Sequence, residues 1–247
     1  MERMLRYKAL SEQVYELLHK EISEMSPGNN KLPSEDEIAK KYGISRSTVR
    51  DALTLLKMEG ATTKVQGRGT FAHPSVFKIQ NRVDLYSDFY VLLSRDHKNV
   101  SLDIDSIGMR EKTAAFRNRM ADPNPDEQVY RMDWKYSADG QISIYGRFEV
   151  PESVLKIIPE DGFYVQNLLE FGQKYLYNDT AYCAMDLKCG TNAVAAALFG
   201  IKKETPMQCW EEVIFDITDK PIGFCCFFMH PENLVMSIVT HFDENGK

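Results

Sequence analysis

Two short helical segments joined by a tight turn constrain the fold of this chain more than any other feature. In LPSEDEIAKKYGISRSTVRDALTLLKMEG, residues 32–60, Ser34 is a natural N-cap with Glu37 three positions later, and Gly43 ends the first segment. Ser45 is a second N-cap, and apolar residues follow it at helical spacing: Val49, Ala52, Leu53 and Leu56. Two helices joined by a glycine-containing turn predict a helix-turn-helix, whose second helix enters the major groove of DNA.

The start of the second helix is rich in hydrogen-bond donors. Two arginines and two hydroxyl residues lie within five positions: Arg46, Ser47, Thr48 and Arg50. The planar guanidinium group matches the O6 and N7 acceptors of guanine, and hydroxyl groups at a helix N-terminus can hold phosphate. These four residues are therefore candidate DNA contacts, although a capped helix with a solvated polar face would show the same residues without DNA.

A predicted hairpin follows the helix-turn-helix. Residues 61–65 and 70–72 have the composition of strands, and the sequence QGRG stands between them. Arg68 lies at the tip of this turn, where it can reach an adjacent minor groove, and Gly67 and Gly69 permit a positive φ or a close backbone approach. A glycine-rich hairpin behind a helix-turn-helix predicts a winged helix and favours DNA binding.

The charge of the chain is unevenly distributed. The net charge is −6, which argues against a uniformly basic nucleic-acid binder. Residues 1–75 nevertheless contain 12 basic and 10 acidic side chains, whereas residues 76–247 contain 18 and 26. This asymmetry predicts that an N-terminal module meets phosphate while the acidic remainder stays away from it.

The sequence shows no sign of a membrane partner or of a cofactor. Apolar runs stay well short of the roughly 18 residues of a membrane span, and the first residues lack the apolar core of a secretory signal. The five cysteines are an odd number and match no zinc or disulfide spacing. We therefore expect a cytoplasmic protein with reduced thiols, no metal and no cofactor. A metal site that combines His230 with Cys225 or Cys226 is the alternative.

The second part of the chain alternates between strand and helix signals. Strands are predicted over 129–136, 142–150, 207–217, 222–229 and 235–242, and helices over 84–94, 151–158, 163–171 and 191–199. Strand pairs with tight turns and interspersed helices predict an α+β domain on an antiparallel sheet. We predict a DNA-binding domain over 1–75, a linker over 76–83 and a second domain over 84–247.

The first of these domains resembles a known family. Residues 32–71 match the winged helix-turn-helix of GntR-type bacterial transcription regulators in the LPSE start, the SRSTVR helix, the EG turn and the QGRGTF wing. The resemblance implies base and phosphate contacts from two groups of residues, namely Arg46, Ser47, Thr48 and Arg50 in the helix and Gln66, Gly67, Arg68 and Gly69 in the wing. Family members often have a DNA-contacting arginine directly after LPSE, and this chain has Asp36 there.

The second domain resembles the UTRA effector domain of the HutC-type GntR subfamily. The similarity lies in the linker length, in VYRMDWKYSADGQISIYGRFEVP at residues 129–151, in the helix near 191–199 and in the last three strands. It implies a chorismate-lyase-like antiparallel sheet, a small-molecule effector and a homodimer on a double-stranded, pseudo-palindromic operator. The expected function is that of a transcription regulator, and specifically of a repressor. An enzyme is not expected, because residues 76–247 lack a nucleophile–base pair, a metal spacing and a phosphate loop.

The effector of this domain is predicted from departures from that resemblance. UTRA domains that sense sugar phosphates have arginines at positions that hold Trp134 and Tyr136 here, and common glutamates fall at Gly146 and Gly223. The exchange of anion-binding groups for apolar ones predicts a weakly charged, flat or apolar effector.

The candidate effector contacts are three aromatic residues and two polar ones that could orient a polar end, namely Trp134, Tyr136, Tyr145, Arg147 and His230. The alternative is that the aromatic residues are core and the pocket is degenerate. The protein would then be a ligand-independent DNA-binding dimer.

Overall fold

The computed structural model describes residues 8–26, 28–85, 88–120 and 124–240. Backbone contacts divide the chain into two units, residues 1–87 with 236–247 and residues 88–235. The domain boundaries given above, at residues 75 and 84, stay predictions. Among the described residues, none of the helices is both long and apolar enough to cross a bilayer.

The first unit contains three helices and a hairpin, as predicted. The helices are α1 (Leu10–Ser23), α2 (Glu35–Tyr42) and α3 (Arg46–Met58), and the hairpin pairs β1 (Thr62–Val65) with β2 (Gly69–Ala72). The backbone of residues 30–32 runs along β2, because the Leu32 N–H donates to the Thr70 carbonyl at 2.9 Å. A 3₁₀ turn at Pro74–Lys78 follows the hairpin and packs Phe77 against the helical core.

Local capping fixes the turn between α2 and α3. Ser34 and Glu37 form a reciprocal capping box at the start of α2, and Gly43 ends that helix in the left-handed region with φ of 66°. Ser45 then caps α3 by accepting from the Thr48 N–H at 3.2 Å. The apolar stripe of α3 faces a core shared by the three helices, in which Val49 and Leu56 are fully buried.

The second unit is a six-stranded antiparallel sheet with short helices. Its strands are β3 (Val100–Arg110), β4 (Val129–Ala138), β5 (Gln141–Pro151), β6 (Thr180–Gly190), β7 (Met207–Asp216) and β8 (Pro221–Met229), in the spatial order β3-β4-β5-β8-β7-β6. Its helices are α4 (Phe89–Leu93), α5 (Ala114–Arg119), α6 (Leu168–Tyr175) and α7 (Ala193–Phe199). The four central strands are those predicted from the sequence.

The sequence-based assignment was wrong at the edges of this unit. The outer strands β3 and β6 were not predicted, because strands with a single neighbour carry many exposed and polar residues. The predicted helix over 84–94 is shorter, because Asp88 caps α4 by accepting from the Tyr90 and Val91 N–H groups. The predicted last strand is replaced over 235–240 by a single bridge between Ser237 and Arg82, and Phe242 lies outside the described residues.

Register gives the sheet two chemically different faces. Directly opposed residues of antiparallel strands point to the same side. One row across the sheet is Ile104, Trp134, Gly146, Phe227, Trp210 and Leu187, and we call this side the aromatic face. The adjacent row, on the opposite side, is Asp105, Asp133, Arg147, Cys226, Glu211 and Asp186, and we call it the polar row.

Candidate DNA-binding surface and effector unit

The predicted recognition helix presents its first turn to solvent. The side chains of Arg46 and Arg50 are 61% and 62% exposed, so both guanidinium groups are available to a ligand. The hydroxyl groups of Ser47 and Thr48 each lie 2.8 Å from the Ser45 hydroxyl, which places three hydroxyl oxygens at one helix N-terminus. Such an N-terminus attracts phosphate through its unpaired N–H groups and its dipole.

Acidic residues at the start of α2 pair with these arginines. The Arg46 Nε atom lies 3.0 Å from a carboxylate oxygen of Asp36, and Arg50 donates to Glu35 at 2.9 Å. Lys64 of β1 donates to the second oxygen of Glu35, also at 2.9 Å. Hydrogen bonds from Lys64 and Arg50 lower the pKa of the Glu35 carboxyl group. The sequence had indicated Asp36 only as a missing contact and had not indicated Glu35.

The tip of the wing is the turn between β1 and β2, and its polar residues face solvent. Gln66, Gly67 and Arg68 are exposed, and Gly67 and Gly69 have φ values of 72° and 106°, which disfavour side chains with a Cβ. A Cβ at position 69 would also lie 3.1 Å from the Lys31 side chain. The Arg68 guanidinium carbon lies 5.6 Å from the centre of the Phe71 ring, so a cation–π contact orients it.

Two of the effector candidates are buried on the aromatic face. Trp134 is fully buried, and Tyr136 is 3% exposed and packs edge-on against Phe89 of α4. The glycine at position 146 leaves no room on this face, because an added Cβ would lie 2.0 Å from the Phe227 ring. The rings therefore fill the place at which the UTRA resemblance puts a glutamate.

The aromatic face also contains buried polar groups that the sequence did not indicate. The indole nitrogens of Trp134 and Trp210 are buried without a hydrogen-bond partner among the described residues. Glu212 of β7 lies on the same face and is 4% exposed, and burial raises the pKa of its carboxyl group to about 7. The registers of β4 with β5, β5 with β8 and β8 with β7 bring these groups to one face.

Two further candidates lie on the opposite side of the sheet. Tyr145 and Arg147 both bind the Asp133 carboxylate, and each of these hydrogen bonds is 2.8 Å long. The Asp133 carboxylate raises the pKa of Arg147, and burial raises that of Tyr145. The sheet thus separates these two residues from Trp134 and Tyr136.

The fifth candidate, His230, lies just beyond the end of β8. It is 5% exposed, and its ring packs at 5.5 Å from that of Phe199 in α7. Its Nδ1 atom accepts from the Glu232 N–H at 3.2 Å. His230 is thus packed against α7 and the segment that follows β8.

A ligand-sized cavity lies elsewhere in the second unit, near the turn between β7 and β8. Its volume is about 530 Å³. Apolar side chains including Phe116, Met120 and Ile222 line it, together with polar residues including Asp216 and Lys220. None of the five effector candidates lines this cavity among the described residues.

Comparisons with known proteins find similar sequences for the first unit and over most of the chain. Residues 10–72 match the family of bacterial regulatory proteins described as the gntR family. The HTH-type transcriptional regulator YurK of Bacillus subtilis (strain 168) is 28% identical over 225 residues, which cover 84% of this chain and 85% of YurK. The HTH-type transcriptional repressor NagR of the same strain is 58% identical over 40 residues, 16% of each chain.

A solved structure shows that the fold is shared over nearly the whole length. The possible transcriptional regulator YydK from Bacillus subtilis subsp. subtilis str. 168 superposes with a TM-score of 0.71 at 19% identity, covering 95% of this chain and 100% of YydK. The winged helix with its exposed arginines, the antiparallel second unit and these similarities lead to one conclusion. Residues 10–72 form a helix-turn-helix domain of the gntR family, and the chain is a DNA-binding transcription regulator.

Proposed function

We propose that this regulator is a repressor that binds a pseudo-palindromic operator as a homodimer and is released by a small molecule. The exposed first turn of α3, with Arg46 and Arg50 turned to solvent, supports operator recognition. One winged helix offers few base contacts, and a two-fold protein dimer favours a two-fold operator. The repressor NagR, which is 58% identical over 40 residues, supports the sign of regulation.

The cavity of about 530 Å³ supports control by a small molecule, because ligand pockets commonly measure about 300–1,000 Å³. Its apolar wall and few polar groups suit a compact, largely apolar ligand with a polar end. The unpartnered indole nitrogens and the buried Glu212 offer a second place, on the aromatic face, for a ligand that brings hydrogen-bonding groups. The ring of Phe227 over Gly146 favours the other reading, a ligand-independent dimer.

A metabolite screen by thermal shift, followed by operator release, tests this proposal. A ligand at 100 times its dissociation constant adds about 2.7 kcal/mol to the free energy of unfolding. Ser153→Trp would obstruct the cavity from an exposed position and abolish the response to a cavity ligand. A response that survives this variant would place the ligand elsewhere. A screen without responses, with unchanged operator binding, would favour the ligand-independent dimer.

The assembly is tested separately. Sedimentation of the full chain should give a dimer, and operator selection should return sites with two related half-sites. A monomer bound to a single half-site would contradict the proposed assembly.

A further inference from the structure

Three metal-ligating side chains meet on the side of the sheet that carries the polar row. Cys209 and Glu211 stand two positions apart on β7 and therefore point to the same side of the sheet. Cys226 of β8 lies directly opposite Glu211. Two adjacent strands thus present two thiols and a carboxylate to one point.

The distances between the donor atoms suit a metal ion. The sulfur atoms of Cys209 and Cys226 are 3.5 Å apart, and the thiols and the Glu211 carboxylate all lie within 4.8 Å of one another. Two thiolates at about 2.3 Å from a tetrahedral zinc ion are separated by roughly 3.8 Å. Small side-chain movements would therefore bring these three donors to ligand distance.

The group of three side chains is partly accessible to solvent and lies between two apolar clusters of the second unit. Cys209 is 5% exposed and packs with α7, whereas Cys226 is half-buried and also contacts the cluster around Phe116 of α5. The Glu211 side chain is 17% exposed. An ion can thus enter past Cys226 and Glu211, whereas the Cys209 thiol lies on the buried side of the site.

The ligand chemistry selects the metal. Thiolates favour zinc over magnesium or calcium, and a carboxylate is a common third zinc ligand. Lys188 and Arg119 hold the Glu211 carboxylate in the absence of a metal, at 2.5 Å and 3.6 Å. Binding of Zn²⁺ would release the two thiol protons to solvent and compete with these cations for one carboxylate oxygen.

We propose that Cys209, Glu211 and Cys226 form a Zn²⁺ site whose fourth position is open to water. This set differs from the combination of His230 with Cys225 or Cys226 that the sequence offered. Sequence spacing could not indicate it, because Cys209 and Glu211 lie on one strand and Cys226 lies fifteen residues beyond Glu211 on the next.

Cobalt is the probe for this site. Full-length protein without a histidine tag is stripped with a chelator, reduced with a phosphine and titrated with Co²⁺ under exclusion of air. We expect one Co²⁺ per chain, a thiolate-to-cobalt charge-transfer absorption, and displacement of the cobalt by one equivalent of Zn²⁺.

Single variants test the three ligands. Cys226→Ser should weaken Co²⁺ binding more than about tenfold and reduce the charge-transfer absorption. Glu211→Gln should weaken Co²⁺ binding while the thiolate-to-cobalt absorption remains. Cys209→Ser should act like Cys226→Ser. If the Cys209→Ser protein fails to fold, the other two variants still test the site. Cys189→Ser, which changes an exposed thiol of β6, is the matched control and should bind like the unaltered chain.

Two results would overturn the proposal. One is Co²⁺ binding that is equally strong in the Cys226→Ser protein. The other is a reduced, folded chain that binds no Co²⁺ or binds it without charge-transfer absorption, which would leave Cys209 and Cys226 as a thiol pair only.

Discussion

The carboxylate of Asp36 lies 3.0 Å from the guanidinium group of Arg46, across the turn of the helix-turn-helix. Asp36 stands where the GntR-type regulators that this chain resembles often have an arginine. Its carboxylate also pairs with Arg46, which is itself a predicted DNA contact. Both side chains are more than half exposed, so the pair is weak and phosphate can displace it.

Removal of this acidic partner should strengthen DNA binding. Asp36→Asn frees Arg46 and removes one negative charge near the phosphates, and we expect up to about a fivefold gain in affinity, equivalent to roughly 1 kcal/mol. Fluorescence anisotropy with an operator duplex at two salt concentrations measures the gain. Asp51→Asn removes the same charge from an exposed position of α3, and an equal gain in that variant would contradict a specific role for the ion pair.

Replacement of either arginine should weaken specific binding and leave the fold intact. A bidentate contact to a base is worth about 1–3 kcal/mol, so Arg46→Ala and Arg50→Ala should each weaken operator binding roughly fivefold or more. Gel shifts with the mapped operator, alongside circular dichroism, measure both effects. Arg117→Ala changes an exposed arginine of the second unit and serves as the control. Normal affinity in both α3 variants would exclude α3 as the recognition helix.

The stability of the first unit should depend on the charge of Glu35. Hydrogen bonds from Lys64 and Arg50 lower its pKa below the ordinary value of 4.5, so the folded state binds this proton less readily than the unfolded state does. The stabilisation is therefore complete above pH 4.5 and is lost as the pH falls through the lower, folded-state pKa.

Glu35→Gln should consequently cost about 1 kcal/mol at pH 7, and the difference from the unaltered chain should shrink below pH 4.5. Urea unfolding between pH 3 and 7 measures it. Glu12→Gln in α1 removes a carboxylate from an exposed position, and a pH profile like that of Glu35→Gln would contradict the assignment.

A methyl group at position 146 should destabilise the second unit. The added Cβ of Gly146→Ala would lie 2.0 Å from the Phe227 ring, and overpacking of a core costs about 1–3 kcal/mol. Gly190→Ala at the end of β6 is the matched control, because its Cβ would meet no described atom within 4 Å. Thermal unfolding of both variants measures the difference. Equal melting temperatures would mean that Phe227 moves aside and that the aromatic face can open.

Hexosamine phosphates should neither stabilise the protein nor release it from DNA. The positions that carry anion-binding arginines in the UTRA resemblance hold Trp134 and Tyr136 here, and both are buried. Thermal shift and operator release at millimolar concentration provide the measurements, with inorganic phosphate as the control. A saturable response to the sugar phosphate alone would show that the predicted register, or the inference from it, is wrong.

The DNA-binding unit could be derived from the sequence because its signals are local. A capping box joins residues three positions apart, a glycine ends a helix where a left-handed residue is required, and a helix shows its buried stripe over a few turns. Ser34, Gly43 and Ser45 therefore predicted the ends of α2 and the start of α3. The partners of Arg46 and Arg50 did not follow, because these ion pairs depend on the angle between two helices.

The second unit was decided mainly by tertiary structure. Alternation along a strand shows that neighbours point to opposite sides, but only strand pairing shows which residues of different strands share a side. Strand pairing buries Trp134 on one face, and Tyr145 binds Asp133 on the other. The same pairing brings Cys226 to Glu211, because β8 returns antiparallel to β7 in one particular register.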